Sequence, residues 1–314
     1  MKAILDIFRA LADPTRLRIF ALLQAMELSV GELAQVLGQS QPRVSRHVKI
    51  LSDAGLTVRR KEGSWVFLGL AEDAAVPPLL ALIDAQSAPW AATDAARLAA
   101  VRADRAAAAE LYFAAHAEQW DAIRSLHVAE SQVEAAMARL LGDRPIGRLV
   151  DIGTGTGRML ELFSGAATRA LGVDRSPEML RLARAKLAAG QIGNAELRQG
   201  DLYALPLDNG TADTVILHQV LHFAQQPGPA ISEAARLLAA DGRILIADFA
   251  AHGREELRVQ DAHARLGFDD EQIGGWFRAA GLVMDRVEEL GGGELTVKLW
   301  LGARAGRIRE KKAA

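Results

Sequence analysis

A chain of 314 residues, half of them hydrophobic, can bury roughly two domain cores of ordinary size. It has no cysteine, which excludes disulfides, thiolate metal sites and cysteine nucleophiles. Its 37 Lys and Arg against 39 Asp and Glu leave a net charge of −2, so attraction to nucleic acid has to come from a local patch. No run approaches the ~20 apolar residues of a membrane helix. Charges at Asp6, Arg9, Asp13, Arg16 and Arg18 interrupt any signal-peptide core, and a cytoplasmic protein is expected.

Apolar residues recur at helical spacing through Ile4, Leu5, Phe8 and Leu11, then through Leu17, Ile19, Phe20, Leu22 and Leu23. Asp13-Pro14-Thr15 between them predicts an N-cap with proline in the first turn. Ser29 precedes Glu32 by three, a capping-box spacing that opens a short helix ended by Gly38. Ser40 opens the next helix, with Val44, Val48 and Leu51 as its buried stripe and Gly55 as its stop. Helix, tight turn and helix is the arrangement that lays a second helix in the DNA major groove. Ser40, Gln41, Arg43, Ser45, Arg46, His47 and Lys49 are its expected contact residues, since Gln and Arg pair with base edges and Ser, His and Lys suit phosphates. Leu56–Arg60 and Trp65–Leu70 read as strands joined by a basic hairpin, a wing that presents Arg59, Arg60 and Lys61.

The strings ALADPTRLRIFALL and SQPRVSRHVKILSDAGLTVRRKEGSWVF carry a resemblance to the winged-helix repressors of the arsenic-repressor (ArsR) family. That resemblance implies a homodimer reading a pseudo-palindromic double-stranded DNA operator, with dimer contacts from the helix near Val76–Gln86. Metal-sensing members carry a cysteine pair where this chain has Glu27-Leu28-Ser29-Val30-Gly31-Glu32-Leu33. Thiolate sensing of arsenic, antimony or cadmium is therefore excluded there, and no metal is expected.

Residues 87–142 are alanine-rich, broken once at Pro89, and Ala95–Ala117 reads as an exposed spacer helix. Tyr112, Phe113 and Trp120 either pack this helix onto the next domain or make it a lid, with Tyr112 and Trp120 facing a ligand.

From Arg148 onward strands and helices alternate, which argues a parallel sheet covered on both faces. Val283–Glu289 and Leu295–Leu301 close the chain as a hairpin around Gly291-Gly292-Gly293. In LVDIGTGTG, residues 149–157, the first strand runs into Gly153, Gly155 and Gly157 and opens a helix, so backbone N–H groups can approach a ligand. Asp174, roughly 20 residues later, stands where an acid grips ribose hydroxyls. Asp201 closes the third strand, beside Leu202.

VDIGTGTG, GVD, GDL and the final hairpin together resemble the class I S-adenosylmethionine (SAM)-dependent methyltransferases. ADTVILHQVLHF and LTVKLWLGAR are similar to the quinone-biosynthesis subgroup. The resemblance implies a cofactor, SAM or S-adenosylhomocysteine (SAH), held by Asp151, Gly153, Thr154, Gly155, Gly157, Asp174, Arg175, Met179, Asp201, Leu202 and His218. His218 and His222 are the catalytic candidates, as bases for an acceptor that must lose a proton. His252, His263 and Phe268-Asp269 are expected to border an acceptor pocket.

The expected fold is thus two-domain. A winged helix-turn-helix (α+β) for DNA binding and dimerisation occupies 1–86, and a helical linker and cofactor lid 87–142. A Rossmann-like α/β methyltransferase domain with an antiparallel terminal hairpin occupies 143–303, followed by a basic tail, 304–314. In that tail Arg304, Arg307, Arg309, Lys311 and Lys312 touch DNA phosphates or stay solvated. Two functions compete. One is a regulator that is not metal-sensing and links SAM or SAH to operator binding. The other is an active small-molecule methyltransferase whose winged helix autoregulates its operon. Methylation of DNA itself is disfavoured, because LHQVLH lacks the Asn/Asp-Pro-Pro-aromatic run of amino-methylating DNA enzymes and cytosine-5 chemistry needs a cysteine.

Overall fold

The computed structural model describes residues 2–62, 65–71, 73, 75–84, 89–124, 129–291 and 293–304. They divide between Ala108 and Ala109 into two compact units. No helix among the described residues is long and apolar enough to cross a membrane.

The first unit runs α1 (Lys2–Leu11), α2 (Pro14–Ala25), β1 (Leu28–Ser29), α3 (Val30–Leu37), α4 (Gln41–Asp53), β2 (Thr57–Glu62), β3 (Trp65–Leu70), α5 (Val76–Asp84) and the first part of α6 (Ala91–His116). Local chemistry sets its boundaries. Asp13 accepts from the Arg16 N–H at 3.0 Å and caps α2. Ser29 and Glu32 form both halves of a capping box on α3, and Gly38 closes that helix at φ +66°, a conformation glycine reaches without a Cβ penalty. Ile19, Phe20, Leu33, Val36, Val44, Leu51 and Leu56 are sealed inside.

Three features depart from the sequence pattern. β2 extends to Glu62, pairing Lys61 with Val66 and Glu62 with Trp65, because the ladder continues through residues assigned to the hairpin loop. β1 adds a third strand against β3, too short at two residues to show a period. The start of α6 is no exposed spacer. Asp94, Leu98 and Val101 form a buried stripe in the winged-helix core, and Arg97 Nη1 donates to the Val36 carbonyl at 3.1 Å.

The second unit begins with the end of α6, a 3₁₀ turn (Ala117–Gln119), α7 (Trp120–Arg124) and α8 (Glu130–Leu141). The alternation follows: β4 (Gly147–Ile152), α9 (Arg158–Phe163), β5 (Ala167–Asp174), α10 (Pro177–Ala189), β6 (Ala195–Gln199), β7 (Ala212–His218), α11 (Pro227–Leu237) and β8 (Leu238–Phe249). Then come α12 (Glu256–Gln260), α13 (Asp270–Ala279), β9 (Leu282–Leu290) and β10 (Val297–Arg304). The seven strands lie in the order β6-β5-β4-β7-β8-β10-β9, the first five parallel and β10 antiparallel to both neighbours. Leu149, Ile216, Leu245 and Leu299 pack one sheet face with Val133 and Met137 of α8. Val150, Val215, Ile246 and Trp300 pack the other with Ile231 of α11 and Phe277 of α13.

Strand order reverses between β4 and β7, and such a reversal opens a crevice outside the carboxyl ends of the strands. The helix α13 did not show in the sequence pattern. Asp269 caps it in a capping box with Gln272, and Phe268 is buried against Trp276, so this pair builds core and cap, not a pocket rim.

Candidate functional site

On α4, Val44, Val48 and Leu51 face the core, which turns Gln41, Arg43, Ser45, Arg46 and Lys49 outward with Ser40 exposed just before them. His47 differs from the rest of this set in being half-buried. It lies between the buried Val44 and Val48, and its Nδ1 sits 3.7 Å from Asp13 Oδ1 at the cap of α2. Lys49 is held by Asp53 at 2.9 Å. Arg59 is exposed on β2, while the side chains of Arg60 and Lys61, like Arg307, Arg309, Lys311 and Lys312 of the tail, lie outside the described residues.

In the second unit the glycine turn follows β4 at the crevice. Gly153, Gly155 and Gly157 take φ of +69°, +53° and +85°. The Gly153 and Thr154 N–H groups donate to the Val173 carbonyl, and Gly155 N–H donates to Asp174 Oδ2 at 2.8 Å. Asp174 Oδ1 accepts from Ser176 N–H at 2.8 Å, so one carboxyl joins the turns after β4 and β5. Burial raises its pKa above the usual carboxylate value, against these backbone donors. Beneath the turn, Thr154 Oγ1 donates to Asp151 Oδ2 at 2.6 Å, and both side chains are buried. Gly172 makes this possible, since a β-carbon there would meet Thr154 Oγ1 at 2.7 Å.

Asp201 is exposed at the end of β6 and accepts from Tyr203 N–H at 3.0 Å, with Leu202 half-buried beside it. Arg175 is exposed, 3.9 Å from Glu110 of α6. His218 ends β7, with Nε2 3.3 Å from Glu130 Oε1.

The segment from Glu110 to Asp121 crosses this crevice. A β-carbon on Gly155 would lie 3.3 Å from Trp120 Nε1. Trp120 and Met179 share a buried cluster that Tyr112, Phe113 and Phe223 complete. Asp121 accepts from Thr156 Oγ1 at 2.7 Å and pairs with Lys186. The Tyr112 hydroxyl donates to Asp261 at 3.0 Å, and burial together with that carboxylate lifts the phenol well above its usual pKa. Asp121, Lys186, Glu130 and Glu110 carry no motif signal, because their roles depend on partners distant in the chain.

Comparison with known proteins assigns both units. The family described as helix-turn-helix domain matches residues 11–60, and the methyltransferase domain family matches residues 150–246. The arsenic resistance transcriptional regulator ArsR1 of Pseudomonas putida is 39% identical over 99 residues, which are 30% of this chain and 75% of that protein. The chain belongs to the ArsR-type regulators and carries a methyltransferase domain. The arsenical resistance operon repressor of Escherichia coli is 48% identical over 63 residues, 20% of this chain, and the chain spans only 54% of that repressor's length. The methyltransferase domain has the fold of a chain in the complex between the Haloferax volcanii Trm112 methyltransferase activator and a methyltransferase. The TM-score is 0.52 at 20% identity, covering 62% of this chain and 96% of that one.

On the far side of the methyltransferase domain's switch point, His222 sits in the 3₁₀ turn Leu221–Phe223. Its Nδ1 lies 2.8 Å from Oδ1 of the fully buried Asp248 at the end of β8. Asp248 also accepts from the N–H groups of Leu221 at 2.8 Å, His222 at 3.3 Å and Phe249 at 2.8 Å. The His263 ring packs 4.4 Å from His222 and stacks on Phe249 at 5.6 Å, with His252 6.5 Å further out. Asp248 escaped the sequence pattern, since a strand-end acid gives no sign of the histidine it will meet.

Proposed function

We propose that this chain is a homodimeric, DNA-binding transcriptional regulator whose methyltransferase domain binds SAM or SAH and links that ligand to operator affinity. The observation that carries the reading is the double membership of α6. Its Asp94, Leu98 and Val101 belong to the winged-helix core, and its Tyr112, with Trp120 just beyond, belongs to the crevice cluster. A ligand that rearranges the crevice cluster acts on the same helix that completes the DNA-binding unit.

The crevice fits an adenosyl group by the chemistry of its donors. Gly153, Gly155 and Gly157 bring backbone close to a ligand, Asp174 and Asp201 supply carboxyls for ribose and adenine, and Leu202 and His218 would line the bound cofactor, with Arg175 at the exposed edge. When bound, SAM supplies a sulfonium methyl group, which SAH lacks. Asp174 holds its two turns in register for that ligand, and Trp120 excludes water above Gly155.

On the DNA side, Gln41, Arg43 and Arg46 address base edges and Arg59, with Arg60 and Lys61, the phosphates or minor groove. Homodimerisation is supported by apolar faces on α1 and α5, where Ile4, Leu5 and Phe8 are 51–56% exposed and Leu82 is 60% exposed. The absence of cysteine removes thiolate metal sensing from this reading.

The test is fluorescence anisotropy of the full chain on the DNA upstream of its own gene, without ligand, with SAM and with SAH. Coupling of about 1–3 kcal/mol predicts a 5–150-fold shift in operator affinity with one of the two. Equal affinity in all three states overturns the regulatory link.

A further inference from the structure

We infer that Tyr203 is a positioning residue of the cofactor crevice: anchored to the start of α11, it aims Asp201 so that the site selects a purine bearing a 6-amino group. The inference rests on the reading that this crevice holds SAM or SAH.

Three observations carry it. First, Tyr203 orients the acid with its own main chain. Its N–H donates to Asp201 Oδ1 at 3.0 Å, and the Ala204 N–H donates to the Asp201 carbonyl at 3.0 Å, closing a tight turn over residues 201–204. One carboxyl oxygen is thereby committed. Oδ2 makes no hydrogen bond among the described residues, and the residue is exposed just beyond the crevice end of β6.

Secondly, the far end of Tyr203 is fixed 23 positions further along the chain. The half-buried ring packs against the core shared with α11, and its hydroxyl accepts from the Gln226 N–H at 3.0 Å, at the cap of that helix. Burial raises the phenol above its usual pKa, against the Gln226 and Gln225 N–H groups that favour its ionised oxygen.

Thirdly, the fastenings of the loop are divided. Glu233 accepts from the Leu205 N–H at 2.7 Å, and Arg236 donates to the carbonyls of Leu205 at 3.2 Å and Leu207 at 2.8 Å. These hold the loop from Leu205 onward. Upstream, the Gly200 N–H donates to the Asp174 carbonyl at 3.0 Å. Between the two supports, among the described residues, only the Tyr203 hydroxyl bonds the turn carrying Asp201 and Leu202 to α11.

A carboxylate has acceptors and no donor, so Asp201 pairs with an amino N–H and sets acceptor against acceptor with a 6-oxo group. That selection requires a carboxyl held in place, since one free to turn toward water discriminates poorly. Tyr203 supplies the hold, and it acts through Asp201 without touching the purine.

The experiment measures calorimetric affinities of the full chain for SAH and for S-inosylhomocysteine, the analogue with a 6-oxo group. The wild type should bind SAH at least about tenfold more tightly. Tyr203→Phe keeps the ring and loses the hydroxyl. Its ratio should fall to within about threefold through weaker SAH binding, with S-inosylhomocysteine affinity unchanged. Asp201→Asn, whose amide can donate to a 6-oxo group, should reverse the preference. Glu233→Ala, which frees the Leu205 N–H beyond the turn, should keep the ratio within about threefold of the wild type. Thermal melts establish that each variant is folded. A wild-type ratio in Tyr203→Phe overturns the proposal. So does equal weakening of both ligands, or the same collapse in Glu233→Ala, because either marks a general structural role. A wild type that binds both ligands equally overturns it and leaves the cofactor reading standing. Failure to bind SAH at all sinks that reading and the proposal with it.

Discussion

Arg18 donates from Nε and Nη2 to the two carboxyl oxygens of Asp94, at 2.7 and 2.6 Å, and so ties α2 to the start of α6. Asp94 is only 2% exposed, so removing its partner leaves a buried charge without compensation. Arg18→Ala should destabilise the winged-helix unit by about 3 kcal/mol, whereas replacing both residues by apolar ones should cost much less. Urea unfolding followed by circular dichroism reads this. An Arg18→Ala midpoint equal to that of the wild type would show that the pair contributes little.

Gly153 tests the crevice. With φ at +69° and Val220 against its missing β-carbon, Gly153→Ala should displace the turn and weaken SAH binding by about tenfold or more, ~1.4 kcal/mol. Gly165→Ala meets nothing within 4 Å and serves as the control. Calorimetric titration separates the two, and equal SAH affinity in both variants would remove the glycine turn from the binding site.

On α4, Arg46→Ala should weaken operator binding by about 1–3 kcal/mol and relax specificity at one base position. Lys49→Ala should cost less, because its ammonium is already engaged by Asp53. His47→Ala should leave base preference unchanged, since the ring faces Asp13. Anisotropy with single-base operator variants distinguishes these, and an Arg46→Ala protein that binds as the wild type does would move the recognition face elsewhere.

Acid stability tests the base of the sheet. The Arg148 guanidinium, bonded to both Asp213 oxygens, holds that carboxyl below its ordinary value of 3.8. A depressed folded pKa stabilises above the unfolded value and is lost as pH falls through the folded one. Arg148→Ala should therefore flatten the loss of stability below about pH 4, by a modest amount because the pair is partly exposed. Thermal melts from pH 6 to pH 2.5 check it, and parallel curves for the two proteins would contradict the assignment.

Much of the architecture was legible because its signals are local. The Asp13 cap, the Ser29–Glu32 capping box, the left-handed Gly38 and the glycine turn after β4 each need only a few consecutive residues. The stripe Val44, Val48 and Leu51 likewise set which side of α4 faces out, though it could not show that His47 would reach Asp13. The helix α6 misled because alanine-rich composition conceals a stripe as sparse as Asp94, Leu98 and Val101, whose burial depends on partners in α2 and α3.

By itself the sequence determined that a winged helix precedes a strand–helix alternation, most of the element types in each, the glycine turn and the acids Asp174 and Asp201, all written as spacing along the chain. Tertiary structure alone decided that β10 lies between β8 and β9, that Trp120 covers Gly155, and that Asp248 backs His222. Tyr112 and Asp261 are 149 positions apart, and Arg18 and Asp94 are 76 apart. Contacts across such separations follow from how whole elements pack, and no short-range pattern of hydrophobicity or turn chemistry encodes them.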